Sequence, residues 1–254
     1  MRLALVLVEP AGALNVGSVA RLCANFGVAE LRLVAPRCDH LGEEARRMAV
    51  HGGGLLEAAR LFPDLAAALA DCRRVVATSG RIEREELPLC NPGEALGWLV
   101  AARPAVGQRQ EPLALVFGRE DRGLSNDELL QAGRVLRIAT GPAYASLNLS
   151  HAVAICLHEL QRQTATPAEG DAESWPPVHG NAEREPSTRG RLEAALADAE
   201  DLLLEVGFLH PHTARARMAK LRALLQRADV DDAEVALLRG MVRQLRWAAT
   251  RETP

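Results

Sequence analysis

Thirteen residues, Leu113-Ala114-Leu115-Val116-Phe117-Gly118-Arg119-Glu120-Asp121-Arg122-Gly123-Leu124-Ser125, hold an apolar run, a charged loop between two glycines and a helix start. Five apolar residues in a row, without alternation, suit a strand buried on both faces, the habit of parallel sheets covered by helices. Two glycines around four charges, placed directly after such a strand, describe a tight backbone loop that wraps a ligand. The loop lacks the Lys-Ser/Thr ending of a phosphate-cradling P-loop. Ser125-x-x-Glu128 is a capping box for the next helix and accounts for those two residues structurally.

Outward from this stretch, comparable runs at 3–8, 31–35, 73–78 and 135–138 alternate with helical periodicity such as Val16, Val19, Cys23 and Phe26. The pattern predicts an α/β fold with a parallel sheet, whose ligands bind outside the carboxyl ends of the strands. Four segments that follow strands are rich in Gly, Asn, Ser and charge: 9–21, 78–81, 118–126 and 140–148. They nominate one composite site. In the first, Asn15 suits a helix N-cap and Gly17 suits close packing. Helical spacing also sets Gly17, Ser18, Arg21 and Asn25 on one face, either simply solvated or presenting Arg21 to a phosphate. In the last, Ser146 or Asn148 can cap a helix over 151–160, although the loop before it is long for a compact α/β unit.

The chain has 254 residues with 30 Lys+Arg against 33 Asp+Glu, a net charge of −3 that excludes a global polycation. Only eight residues are aromatic (three Trp, one Tyr, four Phe), too few for a broad base-stacking sheet. Five scattered cysteines without a CxxC pair, and histidines without HExxH spacing, argue against a disulfide framework and a metal site. The opening apolar run ends at Glu9-Pro10, too early for a signal peptide or membrane span, so a cytoplasmic setting is expected. No GxGxxG follows a strand, which counts against a nucleotide-binding oxidoreductase.

Composition divides the chain into an α/β domain over 1–162, a Pro- and Gly-rich linker over 163–190 and a helical extension over 191–254. In the extension, Gly207 reads as a helix end, Thr213 as the cap of a second helix, and Asp231 or Asp232 as the cap of a third. Between Gly207 and Arg227 stand Arg215, Arg217, Lys220, Arg222 and Arg227 with no acid, inside a tail (166–254) of 12 cations and 15 anions. That segregated run reads as a phosphate-tracking patch suited to a folded RNA.

The three motifs around Asn15–Arg21, Gly118–Ser125 and Ile138–Ser150, together with Met48-Ala49-Val50-His51-Gly52 and Val76-Ala77-Thr78-Ser79-Gly80-Arg81, resemble the SPOUT superfamily of RNA methyltransferases. The resemblance is to its TrmH-like branch, and within that to TrmJ-type tRNA (cytidine/uridine-2′-O-)-methyltransferases. Gly207-Phe208-Leu209-His210-Pro211, Met218-Ala219-Lys220-Leu221-Arg222 and Leu238-Arg239-Gly240 extend it into the tail. It implies a trefoil knot at the carboxyl end of the α/β domain, S-adenosylmethionine as cofactor, and a homodimer. By position, Thr78, Ser79, Gly80, Gly118, Ile138, Ala145, Ser146 and Leu147 would hold the cofactor. Arg21, Asn15, Glu120, Ser146 and Asn148 would form the catalytic set. Arg21 would be either a base or a clamp on phosphate and ribose, the latter free of the difficulty that a neutral guanidinium is scarce at pH 7. The implied activity is 2′-O-methylation of tRNA at nucleotide 32. Ribosomal RNA or another tRNA position is the nearest alternative, and a non-catalytic RNA-binding protein is the alternative of another class.

Overall fold

The computed structural model describes residues 2–80, 89–101, 111–141, 146–164 and 185–251. Seven strands form one sheet in the order β3-β2-β1-β6-β4-β7-β5. They are β1 (Leu3–Val8), β2 (Glu30–Val34), β3 (Arg60–Phe62), β4 (Arg74–Thr78), β5 (Leu89–Cys90), β6 (Leu113–Phe117) and β7 (Arg134–Leu136). Every pairing is parallel, with Leu5 of central β1 between Leu31 and Leu115.

Unbroken apolar runs were the mark of burial on two faces, and the side chains divide accordingly. Leu3, Leu5 and Leu7 enter one core, with α1 (Ala13–Asn25), α2 (Glu43–Ala49), α3 (Gly53–Glu57), α5 (Pro92–Val100) and α7 (Leu149–Thr164). Val6 and Val8 point the other way, into a core with α4 (Leu65–Leu69) and α6 (Asn126–Leu129). Five strands match the expected runs to within a few residues. The short β3 and β5 carry too few residues to show a period. Two arginines of the sheet are buried, Arg32 of β2 and Arg74 of β4. Arg32 of β2 is fully buried, and its guanidinium is bound by Asp71 and Glu30.

Three further helices follow: α8 (Arg189–Glu205), α9 (Pro211–Arg227) and α10 (Asp232–Arg251). They share a small core of Leu192, Leu196, Leu209, Met218, Val230 and Val235. Gly207 ends α8 with φ +74°, as expected, and an Asp231–Glu234 capping box opens α10. The second cap differs from expectation: α9 starts at Pro211 behind His210, because proline's fixed φ suits the first helical position, and Thr213 lies inside.

The tail packs on the sheet domain through backbone and side-chain hydrogen bonds. Arg189 and Gly190 donate to the carbonyls of Cys72 and Ala70 at 3.1 and 3.2 Å. The indole of Trp98, sandwiched between Arg74 and Arg134 (5.0 and 4.7 Å), donates to Asp229 at 3.1 Å. The expected linker falls largely on 165–184, outside the described residues. Connections bearing on the expected knot include 81–88 and 142–145, which also lie outside them. Among the described residues no helix is long and apolar enough to cross a membrane, and no group of three His, Cys, Asp or Glu could hold a metal.

Candidate active site

At the carboxyl end of β6 the chain folds back on itself. A Cβ on Gly118 would lie 2.4 Å from the backbone of Gly123 and Leu124, so the turn requires glycine there. The Gly123 N–H closes the loop on the Arg119 carbonyl at 2.9 Å, and Gly123 itself has φ +70°. The Arg119 guanidinium grips both carboxylate oxygens of Glu128 at 2.8 and 2.9 Å and also binds Glu9. Glu9 adopts φ +44° just past β1, a left-handed conformation that costs an ordinary residue about 1–2 kcal/mol. Its ion pairs with Arg119 and Arg37 offset that cost, and the Arg119 hydrogen bond holds the Glu9 carboxyl below its usual range.

The next residue, Glu120, reaches across to the start of α1. Gly12, the N-cap there, contributes no side chain, and the first turn carries no acid of its own. Glu120 supplies both: its carboxylate accepts from the amides of Ala11 and Gly12 and from Asn15 Nδ2, each at 3.1 Å. Burial works against the charge, yet these donors outweigh it and keep the carboxyl below its ordinary value. Asn15 passes the link on. Its Oδ1 accepts from Asn148 Nδ2 at 3.0 Å, while Asn148 Oδ1 takes the N–H and hydroxyl of Ser150 at 2.9 and 2.8 Å, capping α7. Three loops distant in sequence are thus joined through Glu120, Asn15 and Asn148. Asn15 is therefore not the N-cap.

Beside this network lies a cleft of about 340 Å³, within the range of small-molecule sites. Thr78, Ser79, Gly80, Gly118, Ile138, Ser146 and Leu147 all line it, together with Glu120. Ala145 lies outside the described residues. Asn15, Asn148 and Arg21 do not line the cleft. Ser18 returns its hydroxyl to the Leu14 carbonyl at 2.8 Å, and Gly17 is buried, with a Cβ position 2.2 Å from the Ala45 carbonyl oxygen. The expected four-residue polar face of α1 therefore reduces to exposed Arg21 and Asn25, because α2 covers Gly17. Arg21 has no hydrogen bond or ion pair among the described residues.

In the tail, Arg215 pairs with Asp127, at the start of α6, and Arg217 donates to the Phe208 carbonyl at 3.0 Å. Lys220 is exposed and has no partner among the described residues. Arg222 stands apart from a free patch: Glu193 of α8 holds it by three contacts of 3.0–3.1 Å. Sequence spacing could not reveal that acid, 29 positions away. Glu9 and Arg119 were likewise missed as organisers of the site, although the positions flanking Gly118 and Pro10 carried the signal of paired opposite charges.

Loops of this make-up gather around one cleft at the carboxyl edge of a parallel sheet, where open α/β folds bind their ligands. Residues 2–158 match the SpoU rRNA Methylase family, and residues 191–254 match the C-terminal domain of the tRNA methyltransferase TrmJ. The chain belongs to the SpoU rRNA Methylase family. A relative from Pseudomonas aeruginosa (strain UCBPP-PA14), the tRNA (cytidine/uridine/adenosine-2′-O-)-methyltransferase TrmJ, is 33% identical over 98% of this chain and 95% of its own. The crystal structure of TrmJ from Z. mobilis ZM4 superposes with a TM-score of 0.79 at 28% identity, covering 97% of this chain and 100% of that one. A shorter structure, described as giving insight into 2-OH methylation of C/U34 on tRNA, covers 64% of this chain and 95% of its own, with 29% identity and a TM-score of 0.50.

Proposed function

We propose that this protein methylates the ribose 2′-hydroxyl of nucleotide 32 in the anticodon loop of tRNA, using S-adenosylmethionine. The observation that carries the reading is the convergence on one cleft of Thr78, Ser79, Gly80, Gly118, Ile138, Ser146 and Leu147 from three separate loops, those after β4, β6 and β7. The cleft fits the cofactor's chemistry: Ile138, Leu147 and Leu149 offer apolar walls to a purine, and the glycines let backbone amides and carbonyls approach polar atoms. Ala145 completes this set by position. When bound, the cofactor supplies an activated methyl group on a sulfonium, whose transfer to oxygen leaves a neutral thioether.

The protein's own work is alignment of the ribose oxygen with the methyl group, and the hydroxyl proton passes to solvent water as the oxygen–methyl bond forms. Glu120, Asn15 and Asn148 hold the three loops in register, and Ser146 presents a hydroxyl in the cleft. Arg21 clamps a phosphate so that the ribose oxygen faces the methyl group. Its absence from its own cleft supports service to the cleft of a second copy in a homodimer. Leu14 and Leu147, 43% and 36% exposed, each precede one of the bonded residues Asn15 and Asn148 and offer an apolar contact there. The extension, over 191–254, supports the dimer as well: Leu237, Met241 and Leu245 run down one exposed side of α10. Acids near its start and arginines near its end suit an antiparallel pairing of two copies. Arg215, Arg217 and Lys220 are the tail's phosphate contacts, with Arg222 supporting α9 from its pair with Glu193. Five scattered cysteines without a CxxC pair support a reducing, cytoplasmic setting. The trefoil threading belongs to the same proposal.

The test is methyl transfer from labelled S-adenosylmethionine to unmodified total tRNA and ribosomal RNA, with modified nucleosides mapped by mass spectrometry. A 2′-O-methyl group at nucleotide 32 is expected. Label at nucleotide 34, or in ribosomal RNA alone, overturns the target while leaving the chemistry. No label in either overturns the enzyme reading.

A further inference from the structure

The segment Gly207-Phe208-Leu209-His210-Pro211 has no part in the cleft or its hydrogen-bond network. The positive φ of Gly207 turns the chain so that Leu209, 2% exposed, anchors in the tail core. Its neighbours Phe208 and His210 are then directed outward, and Phe208 is 61% exposed. Burial does not explain an open phenyl ring in a chain with eight aromatic residues.

Arg217 fixes this ring. It donates to the Phe208 carbonyl at 3.0 Å, and its guanidinium carbon lies 5.7 Å over the ring centroid. The imidazoles of His210 and His212 lie parallel beside it in sequence, with 6° between planes and 5.8 Å between centroids. Both are exposed, and His210 makes no side-chain capping bond to α9, so its ring is not committed to the helix. Lys220 follows Arg217 one turn along α9, and no acid occurs from Val206 to Arg227. Planar rings beside cations are the combination that holds unpaired nucleotides: bases stack on the rings and phosphates meet the charges. A protein partner would be served by the ring and would gain little from the surrounding cations.

Position supports the same ligand. Arg215, two residues before Arg217, pairs with Asp127, which lies three residues beyond the cleft residue Leu124. That pair ties α9, whose Arg217 holds the Phe208 ring, to the α6 element that follows the cleft loop. We infer that Phe208, His210 and His212, with Arg217 and Lys220, form a stacking platform for unpaired bases of an RNA loop whose neighbouring nucleotide occupies the cleft. The inference rests on the proposed function for the identity of the RNA.

The test compares full-length protein and variants for binding of unmodified tRNA and of an unstructured single-stranded RNA oligonucleotide across a salt series. Phe208→Ala should weaken both by about tenfold, and a Phe208→Ala/His212→Ala double variant further, with the log–log salt slope unchanged. Lys220→Ala should instead lower that slope by somewhat less than one. Phe208→Trp should retain binding, and its added fluorescence should be quenched by either RNA. Cofactor binding should be parental in every variant. Parental affinity in Phe208→Ala, or unquenched fluorescence in Phe208→Trp at saturating RNA, overturns the platform. Oligonucleotide binding that depends on Phe208, in a protein that methylates no tRNA, upholds the platform and overturns the proposed function.

Discussion

Asn148 Nδ2 lies 3.0 Å from Asn15 Oδ1, so the first turn of α1 and the cap of α7 share a hydrogen bond across 133 positions of sequence. The bond gives Asn15 one orientation: its oxygen is occupied by Asn148 and its nitrogen by Glu120. An amide can serve both neighbours because it donates and accepts at once. A carboxylate of the same shape cannot.

Asn15→Asp should therefore lower the melting temperature by several degrees and weaken cofactor binding, since it loses a donor and places a charge against Glu120. Thermal scans and titration calorimetry measure the two effects. An unchanged melting temperature would remove the network from the account of the site.

The acid limb of stability reports on the same carboxylates. Arg119 holds Glu9 low, and Glu120 and Glu128 are low because their donors outweigh burial. Groups depressed on folding contribute stability that is present above their ordinary value near 4.5 and lost as pH falls through the lower folded value. Glu120→Gln should be less stable than the parent at pH 7, and the gap should close below about pH 4.5. A gap independent of pH in urea titrations would contradict this.

Three glycines should separate folding from binding. Gly17→Ala drives a Cβ into the Ala45 carbonyl, and neither residue lines the cleft, so it should cost about 1–3 kcal/mol with a smaller change in cofactor affinity. Gly80 has open space around its Cβ position and lines the cleft, so Gly80→Ala should keep the melting temperature and weaken binding. Gly118→Ala should impair both. Equal effects from all three would show that the cleft and the fold are not separable in this way.

Arg21→Ala should abolish methyl transfer with cofactor affinity and melting temperature intact, because the side chain is exposed and unpartnered among the described residues. Mixing Arg21→Ala with a cleft variant, Gly80→Ala, should restore some activity if Arg21 serves the neighbouring copy. Loss of cofactor binding by Arg21→Ala would overturn its assignment to the substrate side.

Arg222→Ala should act on the tail's stability. A double-mutant cycle with Glu193→Ala should return a coupling on the order of 1 kcal/mol, given that both groups are partly exposed. Zero coupling, with a reduced salt slope for tRNA, would return Arg222 to the phosphate contacts.

Local pattern carried much of this protein. Unbroken apolar runs implied the parallel sheet, the Gly-, Asn- and charge-rich segments after them marked the loops of the site, and Gly207 and Asp231 marked helix ends. Such features are legible because burial, turn and cap preferences act over a few residues. Tertiary structure alone decided which partners those residues met. It placed β6 between β1 and β4, buried Arg32 against Asp71 some 39 positions away, and gave Arg222 to Glu193. It covered Gly17 with α2, and it set Glu120 against the amides of Ala11 and Gly12 just before α1 and against the Asn15 side chain. A charge's partner is whatever the fold brings within about 3 Å, and no period along the chain encodes that distance.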